Sequence, residues 1–286
     1  MAQRVLKEYQ KSGGEPICQS AFCWGAQGPD FLFYDFPPLG QRQWLAVLGS
    51  RMHKGDPSEL FSAMRSYCAG RPRDVVSRSY LFGFLCHYSL DRNVHPYVYA
   101  QIRELKKLYP DRPGVFLHSQ IETALDNITL RFESGDLPTS FDLKKTVPKD
   151  PEVQKQIAAL YAFVFRKLYG RQQDEAGVLA AMRHCRLAGR LQNDRTGFKK
   201  TFFQSVEGRL HKYYLSCFFH GMMEDDDYDY ANISGAPWAW PPAAPRPRTE
   251  TYLDLYRQSA AESLDFISRF FSVEHYDSFT DHIPFS

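Results

Sequence analysis

The sequence predicts an all-α fold, a bundle of helices without a sheet. Apolar residues recur at three- and four-residue spacing through most of the chain, which is the period of a helix with one buried face. No strand-like alternation of convincing length is present, and no internal repeat. With 286 residues, of which 43% are hydrophobic and 24% charged, the chain can bury a core and is not intrinsically disordered.

The first half contains six predicted helices, and three of their boundaries have a local cause. Asp74 is a suitable N-cap, Pro96 is expected to interrupt a helix, and Gly135 is expected to end one. The predicted helices span residues 2–10, 40–52, 57–67, 74–91, 98–108 and 116–132.

The second half begins with a proline-containing connection and continues with four predicted helices. Residues 134–151 hold three prolines and little periodicity, so they are expected to link the two halves. The four helices span residues 151–169, 174–188, 200–219 and 250–271. Between the last two, the acidic run 224–229 predicts a solvated loop, and five prolines within residues 236–248 predict an extended, irregular path.

Composition excludes several classes of function. The 35 basic and 33 acidic residues give a net charge of +2, which removes the electrostatic basis for a stable nucleic-acid or membrane-surface partner. No apolar run approaches the length of a transmembrane helix. The six cysteines include no C-x-x-C pair, and the opening residues lack the apolar core of a secretory signal. We therefore expect a reduced, cytoplasmic protein.

Histidines and carboxylates share the apolar helices at helical spacing. His87 and Asp91 are four residues apart, and so are His118 and Glu122, so each pair lies on one helix face. His95 follows Asp91 by four more residues. Buried charges are expensive without partners, and a divalent cation compensates several carboxylates and imidazoles together.

These pairs have two interpretations. A single pair in a buried helix is usually a hydrogen-bonded core pair, whereas two pairs and His95 within 40 residues favour a multinuclear metal site in a cleft between helices. Imidazole and carboxylate ligands without thiolate suit catalytic zinc, iron or manganese. Upstream, Asp30 follows a Gly-Pro turn and His53 lies at a helix terminus, where each could face the cleft. We expect residues 1–135 to form the metal-binding part and 136–286 to complete the bundle, as one continuous domain.

Other candidates are given structural interpretations. Four histidines have no carboxylate in matching register and are predicted to be structural or surface residues: His184, His211, His220 and His275. Trp238 and Trp240, in the proline-rich segment, are expected to pack over the helices rather than flank a cleft.

Three segments contain possible metal ligands whose order, spacing and residue type together form a specific pattern. They are GAQGPDFLFY at 25–34, GFLCHYSLDRNVHPY at 83–97 and HSQIE at 118–122. Together they resemble the zinc-dependent phospholipase C family, and more narrowly its short intracellular bacterial branch. The likeness is concentrated in residues 20–132 and is looser at 232–241 and in the final helix. The family is an all-α bundle with three metal ions in one cleft, and the zinc-dependent single-strand nucleases share that fold.

The resemblance implies ligands for two zinc ions. Those of the first are Asp30, His53, His87 and Asp91. Those of the second are His95, His118 and Glu122. Asp91 is similar to the carboxylate that, in the family, bridges the first zinc to a third. The spacer between Asp91 and His95 is two residues shorter than in the secreted members.

The third zinc marks a difference from the family. In the family an early histidine holds that ion, and this sequence has no histidine before His53. The opening AQRVL resembles what normally follows that histidine, so either the third ion is absent or the natural chain starts upstream. We expect two zinc ions.

The resemblance also implies a reaction, the hydrolysis of phosphate esters, with phospholipid among the implied substrates. A metal-activated water would attack phosphorus, and Asp30 would act both as ligand and as general base. Asp126, one turn beyond Glu122, is expected either to orient a ligand histidine through its second ring nitrogen or to be a solvent-exposed helix residue. Two alternatives stay open: a nuclease or phosphatase-like hydrolase on the same scaffold, and a metal-stabilised binding protein without turnover.

Overall fold

The computed structural model describes residues 1–37, 43–172, 175–220 and 228–285. Within these ranges the chain forms eleven α-helices, four short 3₁₀ segments and no β-strand, which confirms the predicted all-α fold. The helices are α1 (Ala2–Lys11), α2 (Gln19–Gly25), α3 (Trp44–Lys54), α4 (Pro57–Ala69), α5 (Val75–Leu108), α6 (Gly114–Ser134), α7 (Pro151–Tyr169), α8 (Glu175–Gln192), α9 (Phe198–Leu210), α10 (Tyr252–Arg269) and α11 (Asp277–Thr280). No helix in the described ranges is both long and apolar enough to cross a membrane.

Parts of three predicted segments lie outside the described residues. They are residues 40–42 of one predicted helix, residue 174 of another, and residues 224–227 of the acidic run. The described part of the proline-rich segment closes on itself, because Trp238 and Arg248 form an isolated antiparallel bridge with backbone hydrogen bonds of 2.8 and 2.7 Å.

The chain divides into two compact units, each assembled from several segments. The first unit comprises Met1–Arg92, Lys144–Ala188 and Gln258–Ser286, and the second comprises Asn93–Leu143 and Gly189–Arg257. These units are defined by packing, whereas the boundary predicted at residue 135 is a division along the sequence and stays a prediction.

The first unit buries a continuous aromatic and aliphatic core. Phe61 of α4 is fully buried and meets Phe84 and Tyr88 of α5 and Phe270 in edge-to-face contacts, with ring centroids 6.2, 5.1 and 5.9 Å away. Edge-to-face geometry places the positive ring edge on the negative ring face, which adds to the hydrophobic stabilisation. The two aromatic residues of α5 fix the face of that helix on which His87 lies.

Two glycines let α2 and α5 approach each other closely. A Cβ on Gly25 would lie 1.9 Å from the carbonyl oxygen of Tyr80, and one on Gly83 would lie 2.1 Å from the carbonyl oxygen of Phe22. Any larger residue at either position would force the helices apart. The turn that follows α2 is therefore held against α5, which matters for the site described below.

The helix interruption predicted at Pro96 is wrong. α5 continues from Val75 to Leu108 with Pro96 inside it. An interior proline costs about 3 kcal/mol relative to alanine. Beyond it, Val98 and Leu105 are almost completely buried, and each contributes roughly 1.5–3 kcal/mol through burial. Burial of the residues after the proline thus outweighs the lost backbone hydrogen bond.

The helix predicted at 200–219 is also wrong in its extent, because α9 ends at Leu210. The buried carboxylate of Glu207 accepts the backbone N–H of Tyr214 at 2.9 Å and that of Ser216 at 3.3 Å. These hydrogen bonds turn the chain back onto its own helix. Apolar residues continue at helical spacing after Leu210, so the sequence pattern does not predict the turn.

The second unit has its own buried aromatic residues. The Tyr97 hydroxyl donates to the carbonyl oxygen of Tyr230 at 2.6 Å, and the Trp238 ring packs edge-on against Tyr97 at 5.3 Å. Trp240 packs on Tyr99 at 5.1 Å. Both tryptophans thus pack on side chains of α5, as the sequence predicts.

Candidate metal centres

Two groups of three possible metal ligands occur in the described part of the chain. In each group, one ligand atom from every residue lies within 4.8 Å of the others. The Asp30 group consists of Asp30, His53 and His87 in the first unit, and the Glu122 group consists of His95, His118 and Glu122 in the second. The structure therefore brings together six of the seven predicted ligands, in the two sets that the resemblance implies.

Asp30 reaches its position through a tight turn. It begins a 3₁₀ segment directly after Gly28 and Pro29, and its side chain is half exposed. Gly28 has a φ of +53°, and its carbonyl oxygen lies 3.2 and 3.3 Å from the hydroxyls of Tyr80 and Tyr161. The two buried phenols anchor the turn and thereby aim Asp30.

His53 lies in the last turn of α3 with its side chain buried. Its Nδ1 is 2.8 Å from the carbonyl oxygen of Gly49, which can only accept, so Nδ1 carries a proton. In the neutral ring Nε2 then has a lone pair, and it lies 2.9 Å from Oδ1 of Asp30. Two acceptors at that distance need a proton or a cation to hold them together. A histidine fixed through one nitrogen with the other beside a carboxylate fits a divalent metal ion.

His87 completes the group from the middle of α5. Its Nε2 is 3.2 Å from Oδ2 of Asp91 one turn later. The resemblance implies Asp91 as a fourth ligand, and the structure places its carboxylate against His87 but not among the three converging ligand atoms. Asp91 is thus the one predicted ligand that belongs to neither group.

Phe285 forms an apolar wall beside the Asp30 group, a role that no sequence pattern around this residue predicts. Its ring centroid lies 5.6 Å from that of His53 and 5.9 Å from that of His87. Its backbone N–H donates to the carbonyl oxygen of His53 at 3.1 Å. Apolar surroundings strengthen electrostatic interactions in the group, because less water screens them.

The Glu122 group is built from α5 and α6. Oε1 of Glu122 lies 2.9 Å from Nε2 of His118 and 3.7 Å from Nε2 of His95. Partial burial raises the pKa of the Glu122 carboxyl, but hydrogen bonds from His118 and His95 outweigh it and lower the pKa to about 2. One ionised oxygen between two imidazoles is a second arrangement that suits a divalent cation.

Aromatic rings adjoin the Glu122 group. The Tyr99 ring stacks on His95 at 5.7 Å and meets His118 edge-on at 5.8 Å. The Trp240 ring packs on Tyr99 with a centroid distance of 5.1 Å, and Trp240 is 38% exposed. The Glu122 group therefore has an accessible aromatic surface close by.

Of the two interpretations of Asp126, the structure agrees with the solvent-exposed helix residue. Its side chain is largely exposed, and Oδ2 lies 3.5 Å from Nε2 of His220. The sequence gives His220 no carboxylate in register, because its partner is 94 residues away. Only the folded chain brings these two side chains together.

Comparison with known proteins returns no match of any kind. No protein-family model matches the chain, and neither does a curated protein or a solved structure. The geometry of the two groups is therefore the structural basis for a proposed function.

Proposed function

We propose that this chain is a metal-dependent hydrolase of phosphate esters, similar to the zinc-dependent phospholipases C. The observation that supports the proposal best is the Asp30 group, in which a carboxylate and two imidazoles from three different segments converge within 4.8 Å. The Glu122 group offers a second set of the same chemistry. Neither set contains a thiolate, which is typical of catalytic rather than structural zinc.

The residues of the Asp30 group have distinct roles in this proposal. A zinc ion held there would supply Lewis-acid chemistry, lowering the pKa of a water and polarising the phosphoryl group. His53 presents Nε2 because Gly49 fixes the proton on Nδ1. Asp30 is half exposed and is the proposed general base, accepting a proton from the attacking water at a carboxylate oxygen. Phe285 limits the access of other water molecules.

The test combines metal content with turnover. We expect zinc-reconstituted protein to hold about two zinc ions per chain, measured by inductively coupled plasma mass spectrometry, and to hydrolyse bis(4-nitrophenyl) phosphate. Asp30→Asn preserves the shape of the side chain and removes its charge, so it should lose zinc and slow hydrolysis by about 100-fold or more. His275→Ala is the control, because it removes an exposed histidine of the same unit.

Two outcomes would contradict the proposal. Protein that binds no zinc in either group would remove its basis. Stoichiometric zinc without hydrolysis of any phosphate ester would instead favour a metal-stabilised binding protein.

A nucleotide phosphodiester is a second candidate substrate, favoured by the exposed Trp240 over Tyr99 beside the Glu122 group. Bases stack on such rings, each contributing roughly 1–3 kcal/mol. A dinucleotide and dihexanoyl phosphatidylcholine separate the two substrates. If nucleotides are preferred, Trp240→Ala should raise the KM for the dinucleotide and leave its kcat unchanged, because stacking of a base away from the phosphorus binds substrate and transition state equally.

A further inference from the structure

Helix α9 presents a row of apolar side chains to solvent. An apolar residue recurs at every fourth position along it, and we call these four residues the α9 stripe: Phe198, Phe202, Val206 and Leu210. Val206 is half-buried, and the other three are between 50% and 69% exposed. Because four residues make slightly more than one turn of an α-helix, the four side chains lie on adjoining parts of one face.

A different face of α9 packs on the protein. Glu207 is almost completely buried and accepts the backbone N–H of Tyr214 at 2.9 Å. The Phe203 ring stacks nearly parallel to that of Phe219, with centroids 5.3 Å apart. These contacts anchor α9 to the turn that follows it. The α9 stripe is therefore the face that remains turned to solvent.

The apolar surface is continuous at the start of the α9 stripe. The rings of Phe198 and Phe202 stack with centroids 6.0 Å apart. Nζ of Lys199 donates to the carbonyl oxygen of Leu191 at 2.8 Å, which brings the exposed Leu191 next to this end of α9. Single exposed apolar residues are ordinary in monomeric proteins, whereas a contiguous apolar patch marks a binding surface.

The segment that contains the α9 stripe is locally basic. Residues 189–220 include six Lys or Arg and two acidic residues, although the net charge of the whole chain is only +2. Four of the six are exposed, and among the described residues none of these four pairs with a carboxylate: Arg190, Arg195, Arg209 and Lys212. The net charge of the chain, on which the expectation of no membrane-surface partner depends, does not describe this segment.

The two carboxylates of the segment lie beneath the surface. Asp194 and Glu207 are both almost completely buried. Oδ2 of Asp194 accepts the backbone N–H of Lys200 at 2.9 Å, as Glu207 accepts that of Tyr214. The exposed charge of the segment is therefore positive, and Arg209 lies on the same face as the α9 stripe because it follows Phe202 by seven residues. Exposed apolar rings next to exposed cations are typical of helices that lie in a membrane interface.

We propose that α9 docks on the surface of an anionic lipid bilayer. The α9 stripe enters the boundary between headgroups and acyl chains, and the exposed Arg and Lys side chains pair with anionic headgroups. A second copy of the chain fits less well, because a symmetric dimer through the α9 stripe would place the same cations opposite one another. No residue of either metal group takes part, so the proposal stands whether or not the chain hydrolyses phosphate esters.

Cosedimentation of the full chain with sucrose-loaded vesicles tests the charge requirement. The vesicles are phosphatidylcholine alone, or phosphatidylcholine with phosphatidylserine. We expect binding at least about tenfold stronger to the anionic vesicles, decreasing as salt is added. Arg209→Gln combined with Lys212→Gln should weaken that binding by about tenfold or more, because each cation near an anionic surface contributes about fivefold. Lys107→Gln combined with Arg131→Gln removes two exposed charges of the same unit and should leave binding unchanged.

Two leucines with similar surroundings test the apolar requirement. Leu210 is the last residue of α9 and 62% exposed, and Leu108 is the last residue of α5 and 60% exposed. Leu210→Ser should weaken vesicle binding by about fivefold, and Phe198→Ser combined with Phe202→Ser by about 30-fold or more. Leu108→Ser should not change it. All these side chains are exposed, so the melting temperatures should stay close to that of the wild type.

A further variant separates docking from turnover. Asp30→Asn should bind the vesicles as the wild type does, because Asp30 lies outside the second unit. No vesicle binding, equal binding to the two vesicle types, or equal losses in Leu210→Ser and Leu108→Ser would overturn the proposal. So would a dimer in light scattering that dissociates in Leu210→Ser, or preference for a single-stranded oligonucleotide over anionic vesicles.

Discussion

The backbone of Gly28 lies against the imidazole of His87, so closely that a Cβ on Gly28 would be 2.0 Å from Cδ2 of His87. Gly28 also has a φ of +53°, which L side chains rarely adopt. Two independent requirements therefore favour glycine at this position. The turn that presents Asp30 and the helix that presents His87 are in direct contact through it.

Gly28→Ala should damage both the fold and the metal group. The left-handed backbone and the clash with His87 together should lower the free energy of unfolding by roughly 2–5 kcal/mol. Displacement of the imidazole should also reduce bound zinc. Urea unfolding and zinc content measure the two effects. Gly13→Ala is the matched control, since Gly13 has a φ of +78° with no atom near its Cβ position. Equal zinc loss in both variants would show that contact with His87 is unimportant.

Removal of metal should destabilise the protein. A bound divalent cation would add ligand bonds to the carboxylate–imidazole contacts of both groups, and a ligand at 100 times its Kd contributes about 2.7 kcal/mol. We expect EDTA to lower the melting temperature by roughly 5–10 °C in differential scanning calorimetry. In His87→Ala the decrease should be smaller, because only the Glu122 group still binds. His275→Ala should show the full decrease, and an equal decrease in His87→Ala would contradict the assignment.

The Glu122 carboxylate should make metal-free stability depend on acid pH. Its pKa is lowered from 4.5 to about 2, so its contribution is present above pH 4.5 and is lost as the pH falls toward 2. The side chain is half exposed, and screening by solvent reduces the expected contribution to about 1 kcal/mol. The free energy of unfolding of wild type and Glu122→Gln should therefore converge between pH 4.5 and 2. A constant difference across that interval would contradict this.

His282 and Asp56 should form a pH-dependent pair. Asp56 caps α4 by accepting the N–H of Ser58, and its other oxygen lies 2.7 Å from Nδ1 of His282. The hydrogen bond that the His282 ring donates to Asp56 raises the pKa of His282 above 6.5, so the stabilisation is complete below pH 6.5 and is lost as the pH rises through the folded value. NMR titration of the ring protons should show this elevated midpoint.

Asp56→Asn tests whether the Asp56 carboxylate raises the pKa of His282. Asparagine is also a good N-cap, so the helix should persist while the His282 midpoint falls toward 6.5. Asp265→Asn, which removes an exposed carboxylate paired with Arg269, should leave the midpoint unchanged. A midpoint that stays high in Asp56→Asn would assign the shift to another group.

The helix ends predicted from the sequence agree best with the structure where a capping residue or a glycine lies at the end. Asp74 caps α5 by accepting the N–H of Ser77 at 3.0 Å, and Gly135 ends α6 with a φ of 72°. The predicted helix boundaries are wrong where burial or a side-chain hydrogen bond, rather than a residue at the helix end, determines the length of the helix. Burial carries α5 through Pro96, and the Glu207 carboxylate ends α9 early.

The candidate site likewise contains one contact that residue spacing predicts and another that only the folded chain creates. Four-residue spacing places His118 and Glu122 on one face of α6, and their contact at 2.9 Å agrees with that prediction. The approach of Asp30 to His53, 23 residues later, depends on a turn held by Tyr80 and Tyr161, which spacing does not reveal. Their roles as metal ligands stay predictions until metal is measured.

Phe285 has a consequence for the order in which the protein can be assembled. It is fully buried against His53 and His87, yet about 230 residues separate it from His53 along the chain. During synthesis the ribosome releases the N-terminal helices long before Phe285, so the nascent Asp30 group lacks one wall and is open to solvent. The group can acquire its finished surroundings only after translation has passed that residue.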